Sequence, residues 1–330
     1  MLGNLGIFSK TIRLVRRTPV AIGMAAAGMT ALGVAAYAQL QSPPIARYTM
    51  DAGTTSGLAA MGGGMKSAMA MLTGQGDGAA HELILRLGST RTATGGPKAD
   101  HFMPPGAGLG KSVPLIAPVA GKPAGVGRMG ELPKARLSIF WGCGEHAPKG
   151  QPLVFDFTRL AKGQVPPGLY AQPLNLPDDW TIQASNSTSY GDWPNHKDAK
   201  VVPGNASLRG AHRIASNYAP EIAFTLDRDF MPALQARSQS LASGAYALSW
   251  KPVPDATGYY AWGMSAKVDA QSGRGGDVQE MVWWSSSSTQ QFGGAMWDWL
   301  SPSAVARLVA AKTVMPPAQT SCTVPAEVRQ

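Results

Sequence analysis

The run GAYALSWKPVPDATGYYAW, from Gly244 to Trp262, decides the fold class of this 330-residue chain. Tyr246, Leu248 and Trp250 alternate with Ala245, Ala247 and Ser249, the period-two pattern of a half-buried strand. Pro252 and Pro254 then break the ladder, because proline has no backbone N–H to give it, and Asp255 and Gly258 suit a turn. Tyr259-Tyr260-Ala261-Trp262 opens a second strand. Two aromatic strands around a Pro-bounded turn predict a β domain.

The same signal recurs on both sides. Leu83, Leu85 and Leu87 alternate with Glu82 and Arg86 in a strand over 81–88. Further strands are expected at 136–141, 152–157, 180–184, 222–226 and 278–284. Residues 94–133 are rich in Gly and Pro and read as irregular. Ser301 and Pro302 open a helix over 301–312, with a serine N-cap, proline in the first turn and Lys312 at the C-terminal end of the dipole. Val305, Leu308 and Val309 share its apolar face. The expected architecture is mainly β: two β-sandwich-like units with a short C-terminal helix.

The 244–262 stretch resembles the strand B to strand C region of a fibronectin type III module. The resemblance implies that Trp250 lies between two sheets, and that the strand at 278–284 belongs to the same sandwich. The runs Phe140–Pro152 and Tyr218–Phe224 resemble uncharacterised exported proteins of Gram-negative bacteria, a resemblance that brings no activity with it.

The beginning of the chain reads as an address. Lys10, Arg13, Arg16 and Arg17 precede an uncharged, small or apolar stretch over 18–36, which ends in Ala36-Tyr37-Ala38. A positive head, an apolar middle and a small-x-small end make a secretory signal peptide, cut near Ala38 into the periplasm or medium; retention as an anchor is the alternative. The net charge of +9 falls to 25 basic against 20 acidic residues without that segment. No basic stripe remains, so nucleic acid is not an expected partner, and the membrane is met only through the signal peptide. The expected divisions are 1–38 signal peptide, 39–80 flexible Gly/Met-rich leader, 81–235 first β domain and 240–330 second β domain with helix and tail.

Cys143 and Cys322 are the only cysteines. In an oxidising compartment they are expected to form a disulfide. The rival reading makes Cys143, with Glu145 and His146 beside it, a nucleophile with a nearby base. Gly106–Ser112 imitates a phosphate loop, but Pro105 stands where its first glycine is required. His81, His101, His146, His196 and His212 are scattered without metal-ligand spacing. Met61, Met65 and Met69, with Met71, could offer thioethers to Cu(I).

Six of nine tryptophans fall between 250 and 299. Adjacent Trp283 and Trp284 should point to opposite faces of a strand, and Trp297 and Trp299 repeat the pattern. These four are the candidate ligand-binding aromatics, against a reading in which they fill the core. The expected role is a non-catalytic binding or structural module of the envelope, taking a glycan or another envelope protein and needing no cofactor. The alternatives are a hydrolase with a non-local site and a copper-handling protein using the methionine-rich leader.

Overall fold

A computed structural model describes residues 6–11, 45–56, 79–119, 135–160, 182–268, 278–290 and 299–328. The strands are β1 (Gly6–Thr11), β2 (Ala46–Ser56), β3 (Ala79–Ser89), β4 (Ala99–Phe102), β5 (Ser112–Leu115), β6 (Arg136–Trp141), β7 (Leu153–Asp156) and β8 (Ser189–Trp193). They continue as β9 (Gly210–Ser216), β10 (Ile222–Leu226), β11 (Ala236–Ser240), β12 (Tyr246–Trp250), β13 (Tyr259–Val268), β14 (Val278–Ser285) and β15 (Ser321–Val324). The helices are a single turn, α1 (Phe157–Leu160), and α2 (Pro302–Ala310). The protein is mainly β, as its alternation patterns predict.

Two sheets, β2-β3-β8 and β10-β9-β4-β5, close over one core. Leu83, Leu85 and Leu87 of β3 all face inward, with Trp193, Val113, Leu115 and Ile214 opposite. The sheets meet where Ile116 and Asp192 exchange backbone hydrogen bonds of 3.0 and 3.1 Å. A second pair of sheets, β1-β13-β14-β6-β7 and β11-β12-β15, encloses Trp250, Tyr259, Val282, Trp284, Phe140 and Val324. The strands flanking the Pro252–Gly258 turn therefore lie in different sheets. The turn is held by the Val253 N–H, which donates to the Tyr259 hydroxyl at 2.8 Å.

Several expectations are corrected. Residues 46–56 fall in the expected leader yet form β2, whose Tyr48, Met50 and Ala52 pack on the first core; Gly53 and the polar residues between them obscure that period. The expected irregular region 94–133 contains β4 and β5. Of the strand expected at 180–184, residues 180 and 181 lie outside the described residues and the rest is not strand: Ile182 is buried outside any strand, and Ala184–Asn186 is a 3-10 turn. Most consequentially, β6 and β7 lie within the expected first domain but join the sheet of the second. β6 pairs in parallel with β14, Phe140 opposite Trp284. Long-range pairing leaves no mark on local periodicity, so a boundary near 231–243 does not divide the sheets.

β1 lies inside the segment expected as a signal peptide, and here it borders β13, Gly6 opposite Met264 and Thr11 opposite Tyr259. Among the described residues no helix is long and apolar enough to cross a membrane.

α2 buries Ala304, Val305 and Leu308 against Tyr260 and Val314. The Ser301 hydroxyl accepts the Ala304 N–H at 3.1 Å, as a serine N-cap does. The helix stops at Ala310, two residues before the expected end, because Lys312 takes a left-handed φ of 58°. Ser301→Ala is expected to cost about 1 kcal/mol in urea unfolding; a loss near zero would show that Pro302 alone sets the helix start.

Candidate functional site

The two cysteines are bridged, with Cα atoms 5.2 Å apart. Around them the Gly144 N–H donates to the Thr323 carbonyl at 2.9 Å and the Ala326 N–H to the Glu145 carbonyl at 3.0 Å. Glu327 accepts from the Ala147 N–H and pairs with His146 at 3.1 Å. These contacts fasten the tail to the 143–147 loop. Cys143 is thus not a free thiolate, and His146, largely exposed beside Glu327, has no thiol to activate.

Trp284 is a core residue, 2% exposed, its indole N–H donating to the Gly142 carbonyl at 2.9 Å. Trp283 is on the opposite face of β14, half-buried, and stacks on Trp262 with ring centroids 4.9 Å apart. Trp262 in turn packs against the α2 cluster. Trp299 is half-buried, and Trp297 lies outside the described residues, as do Met61, Met65, Met69 and Met71. Trp283 and Trp284 therefore face opposite sides of β14 and share no cleft. The nearest thing to an outward platform is the Trp262–Trp283 stack beside Met264, which is 49% exposed.

The cleft that does exist is formed by residues the sequence did not single out as a site. At the seam between β11 and β13, Leu234, Leu248, Trp250, Tyr259, Tyr260 and Met315 line a cavity of about 210 Å³. Ala236, Arg237 and Ser238 of β11 form its rim. All five β11 residues are exposed. Among the described residues the strand pairs only with β12. Trp250 was legible as a core residue; that one flank of it borders an opening depends on where two sheets part.

A second cavity, about 150 Å³, opens in the first unit between β2 and β10, lined by Tyr48, Met50, Leu208, Phe224, Arg228 and Asp229 among others. Behind it runs a chain of polar groups through the core. The Tyr48 hydroxyl meets His101 Nδ1 at 2.8 Å. His101 Nε2 meets His212 Nδ1 at 3.0 Å, and His212 Nε2 meets the Leu208 carbonyl at 2.7 Å. Both imidazoles are essentially inaccessible, at 0% and 2%.

Burial, and second the neighbouring His212 ring, push His101 down to about 3. Burial also lowers His212, against the opposing pull of the Leu208 carbonyl. Burial and then Asp51 hold the Tyr48 phenol well above its usual range. The resting chain is therefore neutral, and its donor directions are forced. A carbonyl only accepts, so His212 carries its proton on Nε2 and accepts on Nδ1. His101 must then donate from Nε2 and accept Tyr48 O–H on Nδ1. Two histidines 111 residues apart, inward on β4 and β9, have no local signature.

Among the described residues no group of three or more His, Cys, Asp or Glu side chains could hold a metal ion. Comparison with family models, with curated proteins and with solved structures finds no match for the chain.

Proposed function

We propose that the protein is an exported bacterial envelope component that binds another envelope protein and performs no chemistry on it. The observation that carries this reading is the aromatic cleft at the β11–β13 seam. Its walls are Trp250, Tyr259 and Tyr260, its rim offers Arg237 and Ser238, and an exposed strand edge runs beside it. Apolar walls with a few polar groups are what a recognition pocket requires, and aromatic and arginine residues dominate interface energetics. A volume of about 210 Å³ is smaller than the ~300–1,000 Å³ of drug-sized sites and suits one anchoring side chain. The adjacent edge has main-chain groups for an added strand, a recurring mode of peptide recognition. Export is supported by the charged and apolar N-terminal run and by the bridged cysteines, which suit an oxidising compartment. Removal of residues 1–38 would take β1 away and leave β13 as a further sheet edge.

The test places a photo-crosslinking residue at exposed Ser238 of the full chain in growing cells. The expected product is one discrete adduct with an envelope protein, reduced at least several-fold by Arg237→Glu. Adducts with glycan alone, or none, would overturn the choice of partner. A purified chain that does not begin near Gln39 would overturn cleavage, and a chain recovered from the cytoplasmic fraction would overturn the export reading separately.

A further inference from the structure

We propose that Tyr48, His101, His212 and the Leu208 carbonyl form a one-proton store that is loaded from the cavity beside Tyr48. The argument begins from the forced polarity of the neutral chain. Each imidazole already uses one nitrogen as donor and the other as acceptor, so a further proton cannot be added in place without setting two donors against each other. It can be added by reversing the chain. Tyr48 O–H passes its proton to His101 Nδ1, His101 Nε2–H passes its proton to His212 Nδ1, and the Tyr48 oxygen takes one proton from solvent. The balance is one proton taken up. His212 becomes the imidazolium, His101 stays neutral with its hydrogen moved to Nδ1, and the new Tyr48 O–H turns towards the cavity.

The surroundings fit both states. Tyr48 as a residue is half-buried and borders the cavity, while its hydroxyl is set inward against His101, so a proton enters the chain past the Tyr48 ring. His212, where the charge would rest, stacks on Phe224 with centroids 5.1 Å apart and planes 7° from parallel. An aromatic face attracts a cation, and the Leu208 carbonyl continues to accept from Nε2. The chain ends on that carbonyl, which cannot pass a proton on, so the device stores a proton and does not conduct one.

Other charges are placed so that they leave this arrangement intact. On β2, Asp51 acts on Tyr48 but is already paired with Arg86 of β3 at 2.7 Å. On β4 and β9, strand alternation sends Asp100 and Arg213 to the opposite face, where they meet Ser112 and Glu221. Arg228 and Asp229 line the cavity after β10, and Asp229 accepts the Leu208 N–H at 2.9 Å. Arg209 is 3.9 Å from Asp229, and His81 stacks on Phe230 farther along the same edge. No carboxylate is among the causes that set either buried histidine.

The lowered histidines give the pH sign. Between the ordinary value of 6.5 and about 3 the unfolded chain binds more protons than the resting fold. The contribution of His101 to stability is complete above about pH 6.5 and declines as pH falls through that window, and His212, lowered in the same direction, acts with the same sign. Proton uptake by the store should lie on this acid side.

Imidazole ¹⁵N NMR of the full chain, labelled at histidine, tests the proposal. At neutral pH both His101 and His212 should be Nε2–H tautomers. On acidification below 6.5 the pair should take up one proton in total, with His212 becoming doubly protonated and His101 exchanging Nε2–H for Nδ1–H at the same midpoint. Independent titration of the two rings would overturn the proposal. So would a charged His101, or no change in either ring until the chain unfolds.

Discussion

Removal of the Cys143–Cys322 bridge is expected to be the most destabilising single chemical change to this protein, by up to about 5 kcal/mol. The two residues are 179 positions apart. In the loop-entropy model, closing a loop of that length removes enough freedom from the unfolded chain to be worth about 5 kcal/mol, with native strain reducing the figure. The bridge also acts where β15 completes the β11-β12-β15 sheet, with Cys322 opposite Leu248 and 4% exposed. Alanine at both positions is the suitable replacement, because a serine hydroxyl at 322 would add a buried polar group. Urea unfolding of the double variant, and of the native chain with reductant, should show the same loss. A loss below about 1 kcal/mol in both would mean that the hydrogen bonds from Gly144 and Ala326 hold the tail unaided.

Gly191→Ala is the second large effect, at about 3 kcal/mol. A Cβ at Gly191 would lie 2.6 Å from the Leu115 carbonyl oxygen and 2.8 Å from its carbon, with the Tyr218 hydroxyl at 3.1 Å. These obstacles are mostly backbone, so no side chain can rotate out of the way. Relief requires β8 to move from the end of β5, where the backbones of the two sheets of the first unit exchange hydrogen bonds, Ile116 with Asp192. Overpacking in a well-filled core typically costs about 1–3 kcal/mol, occasionally more, and here it also strains that bridge. Gly263→Ala is the control, since a Cβ there meets nothing within 4 Å. Thermal unfolding should separate the two variants clearly; equal midpoints would contradict the close approach.

The proposed export and the proposed binding rest on different kinds of signal. The run proposed as an N-terminal address is written in consecutive residues and needs no fold to be read. The cleft is not: Leu234, Trp250, Tyr260 and Met315 come from four separate stretches, and their meeting is a property of the seam. The tryptophans illustrate the same division. Alternation correctly put Trp283 and Trp284 on opposite faces of β14, but only packing showed the outward ring laid against Trp262.

Local chemistry in the chain was sufficient for the β class, the strands around Leu85, Phe140, Phe224 and Trp250, the Ser301 cap and the pairing of its two cysteines. Each depends on neighbours within a few residues, or on there being one partner to choose. Tertiary structure alone decided that β6 crosses to lie beside β14, that β2 belongs to the first core, and that His101 and His212 share a hydrogen-bond chain. Backbone pairing energy is nearly indifferent to which strand supplies the partner. The choice is made by which apolar faces can be buried together, a condition on the whole chain that no local window contains.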